Sequence, residues 1–450
     1  DAVDNEPAIS EFTVQDVYKK DIPERDELKK IFEACSKYFS EDIRHNEDCV
    51  AFYKAAATRI SGSSKIRLLE VADYNTRGMM PRDYENFMHI PGNSSKVGLK
   101  GGSWGLGKGA FFAASRARII FLSSLTKAND VFFAGKARLV SRMQNKKEMR
   151  GDGTYGLHLQ RPVKDTKDIP EMFRRTKAGT SIFVLDFEND EDWDRSMTRS
   201  VLSNYWMSIH DGKLQVKVGN TKINRDNLDR LIVDYFGNKS WSDIDNPVPY
   251  YNGYLQHGNA KMFSETLPTL GYVEFYVEIN EEYPKRVSYH RNTGMRIQTP
   301  SHACSVPYAG VFVCKNPEGN QILRNMEDPR HDEWIPKNAK EGEPTKAAMK
   351  AYKEMRFFIR ESLGKLIDED SSKYLSINDL EKYLSLPETE NEVSGANEGD
   401  NPQDDTSNKE RGKELGIQSA EAPETSMKFK NLEIINQVKV KGQVTGDGDG

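Results

Sequence analysis

Apolar residues recur at three- and four-residue spacing over residues 24–39 and 46–60, which predicts two amphipathic helices, the first with Leu28, Ile31, Phe32 and Cys35 on one face. A turn at 61–64 leads into 65–72, which reads as a strand running into Asp73. Residues 82–102 are polar, contain glycines and hold no sustained period, which predicts a mobile flap hinged on glycine. The flap passes directly into an apolar helix pattern at 110–114. Segments 118–125, 131–140, 155–159 and 181–187 are rich in Ile, Val, Phe and Leu and predict a mostly antiparallel sheet. A helix over 192–210 then precedes strands near 214–218, 272–279 and 310–314 and a closing helix over 345–366. The pattern predicts an α+β fold, with a first domain over 1–190 and a second α/β domain over 191–385. An acidic disordered linker is expected over 386–425, and the start of a small β segment over 426–450.

Composition narrows the class. At 450 residues there is room for two or three cores, and no apolar run approaches the roughly 20 residues of a membrane helix, so no membrane is expected. The start, Asp1-Ala2-Val3-Asp4, carries no secretion signal and reads as a cut. Four scattered cysteines, Cys35, Cys49, Cys304 and Cys314, lack metal-ligand spacing and point to reduced thiols and a cytoplasmic protein, with no structural metal. A net charge of −5 gives no global attraction to phosphate backbones, which leaves nucleic-acid contact to a local basic patch.

Three glycine-bearing segments carry candidate chemistry. Asp73 closes a strand and is followed by Asn75, Gly78 and Met79. A strand-end carboxylate can accept from the exocyclic amine of adenine, and a glycine lets backbone approach the ring. The same residues also describe an Asx-type turn. Gly102, Ser103, Trp104, Gly105, Leu106, Gly107 and Lys108 lead into the 110–114 helix. Backbone N–H groups there would converge on phosphate oxygens at the positive end of the helix dipole, with Lys108 adding a charge. The run matches the opening of a P-loop but has Gly109 where a magnesium-binding Ser or Thr is required, and it follows a polar flap, not a strand. A ligand-free surface loop is the other alternative, against which stands the entropy cost of so many ordered glycines. Thirdly, Gly179-Thr180 opens a buried strand, alone an ordinary strand start. Dispersed histidines and the absence of a G-x-S-x-G setting leave a nucleophilic triad without support.

In this order and spacing the segments resemble the GHKL ATPase fold shared by gyrase, heat-shock chaperone, histidine-kinase and MutL ATPases, over about residues 1–190. The resemblance implies a Bergerat α/β sandwich that binds ATP with Mg2+. Asp73 and Thr180 would be base contacts, with Asn75, Gly78 and Met79 in the same box, and the 102–108 run would hold the phosphates beneath a lid. The family's remaining box is E-x-x-x-N-x-x-D-A, and Asp1-Ala2 resembles its last two letters. The water-activating glutamate and the magnesium-binding asparagine would then precede residue 1. The first box is usually D-x-G-x-G; here Asn75 replaces the first glycine and one extra residue precedes Gly78.

The second domain resembles the transducer that follows the ATPase domain in MutL, gyrase, MORC and chaperone relatives. This implies a cation carried to the γ-phosphate, and the basic stretch 284–296 offers Arg291 first and Lys285 second, with a turn at 292–294. A solvated basic hairpin is the alternative. The family implies lid closure, homodimerisation and ATP hydrolysis, and the expected setting is a prokaryotic DNA-linked or antiviral defence system acting on nucleic acid or a partner protein. A nucleotide-binding scaffold that never hydrolyses is the rival from another class. Protein-kinase-like phosphotransfer lacks the paired acidic motifs it would need downstream.

Overall fold

The computed structural model describes residues 6–41, 45–62, 64–88, 108–144, 146–157, 161–188, 191–328, 330–339 and 342–370. The chain is mixed α+β. Its elements begin with β1 (Ala8–Tyr18), α1 (Arg25–Phe39), α2 (Glu47–Ile60), β2 (Lys65–Tyr74), α3 (Pro81–Met88) and α4 (Lys108–Ala113). Strands β3 (Ile119–Leu125), β4 (Val131–Arg138), β5 (Arg142–Gln144), β6 (Lys147–Met149), β7 (Asp152–Tyr155) and β8 (Gly179–Leu185) follow. Helix α5 (Trp193–His210) leads to β9 (Leu214–Val218), β10 (Thr221–Ile223), α6 (Leu228–Phe236) and α7 (Val248–Tyr254). The remainder is β11 (Lys261–Leu267), β12 (Gly271–Ile279), β13 (Arg286–His290), β14 (Arg296–Gln298), β15 (Tyr308–Cys314), α8 (Pro317–Asn325) and α9 (Glu343–Asp370).

Eight strands form the larger sheet in the order β10-β9-β1-β2-β8-β3-β4-β7. Every neighbouring pair is antiparallel except β1 with β9, which run parallel. Alternation along β2 decides what each face buries. Ile66 and Leu68 meet α1 and α2 through Phe32, Cys35, Tyr53, Ala56 and Ile60. Leu69 and Val71 point the other way, towards Phe112 of α4 and Phe87 of α3. Asn46 caps α2 by accepting from Cys49 N at 2.9 Å, which fixes the start of the second helix of that layer.

The smaller sheet has the order β11-β12-β15-β13-β14. All seven residues of β15 are buried, the signature of a strand covered on both faces. Phe312 and Cys314 face α8 and α9, whereas Val311 and Val313 face Trp206 of α5 and Tyr250 and Tyr251 of α7. The α5–α7 layer also buries Val216, Val218 and Ile223 of β9 and β10, so it packs on both sheets.

Two findings differ from the sequence pattern. Strand β1 has no counterpart in it: Glu11, Gln15 and Asp16 dilute the apolar signal, although Phe12 and Val14 pack against the α3/α4 side of the sheet. Residues 81–88, expected to begin an aperiodic flap, form α3, with Tyr84 and Met88 buried against Leu122 and Phe132. The expected boundary at residue 190 falls between β8 and α5, and β9 and β10 beyond it join the first sheet. Residues 1–376 group as one compact unit. Among the described residues no helix is long and apolar enough to cross a membrane. The expected linker and terminal β segment lie outside the described residues.

Candidate functional site

The last paired residues of β2 and β8 are Ala72 and Ser181, which brings Asp73 and Thr180 side by side at the end of the ladder. Alternation puts Asp73 on the same face as Leu69 and Val71, and Thr180 on the same face as Ile182 and Val184. Both therefore lie on the α3/α4 side of the sheet. The Thr180 backbone N–H donates to Asp73 Oδ1 at 2.8 Å. The Thr76 hydroxyl donates to the same oxygen at 2.6 Å. Among the described residues no group donates to Oδ2.

Ser124 lies opposite Thr180 on β3 and completes the cluster. Its hydroxyl is 3.1 Å from Thr180 Oγ1, donates to Gly179 O at 3.0 Å and accepts from Met79 N at 2.8 Å. The sequence offers only a Ser123-Ser124 pair near the end of an apolar strand, which does not tell Ser124 from its neighbour.

The chain between Asp73 and Met79 must reverse tightly. Asn75 adopts φ of 57° and donates from Nδ2 to Pro7 O at 3.1 Å. Asparagine tolerates this left-handed geometry better than most other side-chain-bearing residues. Gly78 has φ of 76°, and a Cβ there would lie 2.5 Å from Leu125 O. Its lack of a side chain is thus required by close packing on the end of β3.

On the opposite face a second bracket ties β2 to β8. Ser181 donates to Glu70 Oε1 at 2.7 Å and accepts from Arg175 Nη1. Arg175 Nη2 donates to Asp73 O at 2.6 Å, and its guanidinium lies 4.8 Å from the Tyr74 ring centroid. Burial lowers the Arg175 pKa, against the raising effect of the neighbouring Tyr74 and Asp73. Arg175 was also missed; it belongs to the basic run just before Gly179-Thr180. Beside this bracket is a cavity of about 320 Å³ walled by Tyr74, Asn75, Thr76, Lys127 and Lys177. That is ligand-sized, as binding pockets begin near roughly 300 Å³. Asp73 is not among its lining residues, so the cavity adjoins the carboxylate without enclosing it.

The structure brings together Asp73, Asn75, Gly78, Met79 and Thr180. Gly102, Ser103, Trp104, Gly105, Leu106 and Gly107 lie outside the described residues, and Lys108 is described only as the first residue of α4. Arg291 and Lys285 make no hydrogen bond or ion pair with the Asp73 cluster. Arg291 is 9% exposed and forms a two-pronged pair with Glu327, through Nε at 2.7 Å and through Nη2. His331 Nδ1 lies 3.0 Å from Glu327 Oε2. Burial raises the Glu327 pKa, but the contacts with His331 and Arg291 outweigh it and hold the carboxyl below its usual range. The Lys285 ammonium donates to Ser305 O at 3.1 Å. Among the described residues no group of His, Cys, Asp or Glu is arranged to hold a metal ion.

Comparison with known proteins adds no name to this geometry: no family model matches the chain, and no curated protein matches it.

Proposed function

We propose that the chain binds ATP with its adenine anchored on Asp73, in the manner of the GHKL ATPases its motifs resemble. The observation that carries this is the uneven use of one carboxylate. Oδ1 is occupied by Thr76 and the Thr180 amide, whereas Oδ2 has no donor among the described residues. An exocyclic amine supplies that missing donor, and a carboxylate clamped at one oxygen presents the other without losing rotamer freedom on binding. Met79 offers an apolar side chain beside it, partly buried against Tyr84 and Leu122.

The phosphates would lie towards the glycine-lysine run that ends at α4, with Mg2+ carried by them. Lid closure, dimerisation and hydrolysis are extended to this chain by the resemblance alone, and a scaffold that binds without hydrolysing would use the same base anchor. Titration of the full chain with Mg-ATP tests the anchor. Asp73→Asn keeps its oxygen on Thr180 only by turning its amide nitrogen to the ligand, so it puts a donor where an acceptor stood and is expected to weaken ATP binding by about 10- to 100-fold, the range of one charge-assisted hydrogen bond. Unchanged affinity would remove Asp73 from the site.

A further inference from the structure

Helix α9 has two unlike faces, and the fold uses only the inner one. Ala351, Met355, Phe358, Ile359, Leu363 and Leu366 are buried in the core beneath the smaller sheet. The outer face carries Lys350, Lys353, Arg356, Phe357, Arg360 and Lys365, all exposed. Lys350, Lys353, Phe357, Arg360 and Gly364 succeed one another at three- and four-residue spacing, so they form one stripe about 20 Å long.

Charge on this face is one-sided. Among the described residues of α9 the exposed carboxylate is Glu361, 3.9 Å from Arg360 in a solvent-facing contact that neutralises little. Lys350 comes within 3.9 Å of Glu354, but that carboxylate is already held by Thr269, accepting from its N and its Oγ1 at 2.8 Å each. The cations stop at Lys365, ahead of Asp368-Glu369-Asp370 in the sequence. Lys350 with Lys353, Lys353 with Arg356, and Arg356 with Arg360 are like-charged neighbours on the helix, an arrangement that weakens it. A face that only needs solvation mixes its signs. This one gathers positive charge in a chain whose net charge is −5.

Phe357 supplies an independent observation. Its ring is 56% exposed in the middle of the stripe, with the Arg360 guanidinium 5.1 Å from the ring centroid. A second copy of the same face would be repelled. A lipid surface would need the apolar side of the helix, which the core occupies. An acidic protein would answer the cations but has no call on the ring. A strand with phosphates and unpaired bases uses both.

We propose that the outer face of α9 binds single-stranded nucleic acid, its phosphates on Lys350, Lys353 and Arg360 and one base stacked on Phe357. Duplex bases stack on each other and offer the ring no face. The assignment does not rest on nucleotide binding at Asp73.

The test is fluorescence anisotropy of the full chain, without ATP, against a labelled oligothymidylate over a range of salt concentrations. The expected result is saturable binding whose logarithmic affinity falls with the logarithm of salt at a slope of about −2, three phosphates at roughly −0.7 each. Lys353→Gln combined with Arg360→Gln should flatten that slope by about 1.4. Phe357→Ala should weaken binding about tenfold at an unchanged slope, the effect of one lost base stack. Should Phe357→Ala fail to fold, Phe357→Leu keeps apolar bulk without the ring and should show the same loss. Absence of binding, or binding that these replacements leave unchanged, overturns the proposal. So does a duplex bound as tightly as the single strand. Polyglutamate that displaces the strand as well as unlabelled oligothymidylate does would likewise overturn it, in favour of an acidic protein.

Discussion

The backbone N–H of Thr180 donates to Asp73 Oδ1 at 2.8 Å across 107 positions of sequence. This bond orients a carboxylate that would otherwise rotate at the end of an open strand. Thr180 thereby acts through its amide, which any residue but proline supplies, while its hydroxyl serves Ser124.

Base selectivity follows from that orientation. Under the proposed anchor, ATP presents an amine to Asp73 Oδ2, whereas GTP presents a carbonyl oxygen to a carboxylate. ATP should bind at least about 100-fold more tightly, since the mismatch leaves two acceptors facing each other. Asp73→Asn can turn its amide nitrogen towards the ligand while its oxygen keeps the Thr180 bond, so that variant should narrow or reverse the preference. Competition of both nucleotides against a fluorescent ATP analogue measures the ratio, and a wild-type chain indifferent to the base would sink the assignment.

Stability should separate from binding at the same residue. Asp73→Ala strips the acceptor from the Thr180 amide and from Thr76, which is 8% exposed, and is expected to lose about 1–3 kcal/mol in urea unfolding. Asp73→Asn keeps an acceptor and should lose less than about 1 kcal/mol. Equal losses would mean that Oδ1 does not hold the strand ends together.

Gly179 tolerates no substitution for a geometric reason. It has φ of 136°, and a Cβ there would meet Asp73 O and the Arg175 guanidinium far inside contact distance. Gly179→Ala should destabilise the chain by more than about 1 kcal/mol, and in any fraction that remains folded it should disturb the Asp73 anchor. A thermal melt matching wild type would contradict the packing at the β2–β8 end.

The pair between Arg291 and Glu327 is buried on both sides, with the Glu327 side chain fully inaccessible. Glu327→Ala leaves a guanidinium without its carboxylate and should cost about 3–5 kcal/mol, measured by urea unfolding. A loss below about 1 kcal/mol, the scale of a surface pair, would show Arg291 free to turn elsewhere.

Acid should unfold the second half through its histidines. Burial holds His290 down at about 3 and His302 at about 4, with the Arg296 charge opposing protonation of His290 and the Arg356 charge that of His302. His290 is enclosed by Ser288, Gly294 O and the Trp206 ring, and the Asp211 carboxylate favours its charged form. Folding keeps both rings neutral, so as pH falls below about 6.5 the unfolded chain takes up protons first. Stability is therefore full above that pH and falls by up to about 1.4 kcal/mol per unit per histidine until the folded values are reached. Urea midpoints at pH 7 and pH 5 should differ accordingly, and a smaller difference in His290→Phe would locate the effect.

Periodicity predicts α1, α2, β2, α5 and β9 to within two residues at either end, and α9 over 345–366 where the helix runs Glu343–Asp370. It missed β1, whose eleven residues are mostly half-buried and include the polar Glu11, Gln15 and Asp16. It also missed α3, where only Tyr84, Asn86 and Met88 are buried in a polar segment. Glycine and aspartate spacing singled out Asp73 and Thr180, which the fold places side by side. Ser124 and Arg175 escaped because a single hydroxyl or guanidinium reaching across strands leaves no periodic trace. Arg291 was chosen for its place in a basic turn, and only coordinates could disclose the carboxylate beneath it.

Ser10 pairs with Asp73 on one side and with Val216 on the other. The carboxylate-bearing strand and the strand that enters the α5–α7 core are thus one residue-width apart through a shared rung, with no loop between them. A rigid swing of one half against the other would tear a ladder of backbone hydrogen bonds. Any displacement at the carboxylate must instead travel sideways as twist or shear of the sheet, arriving at Val216 as a change of strand angle.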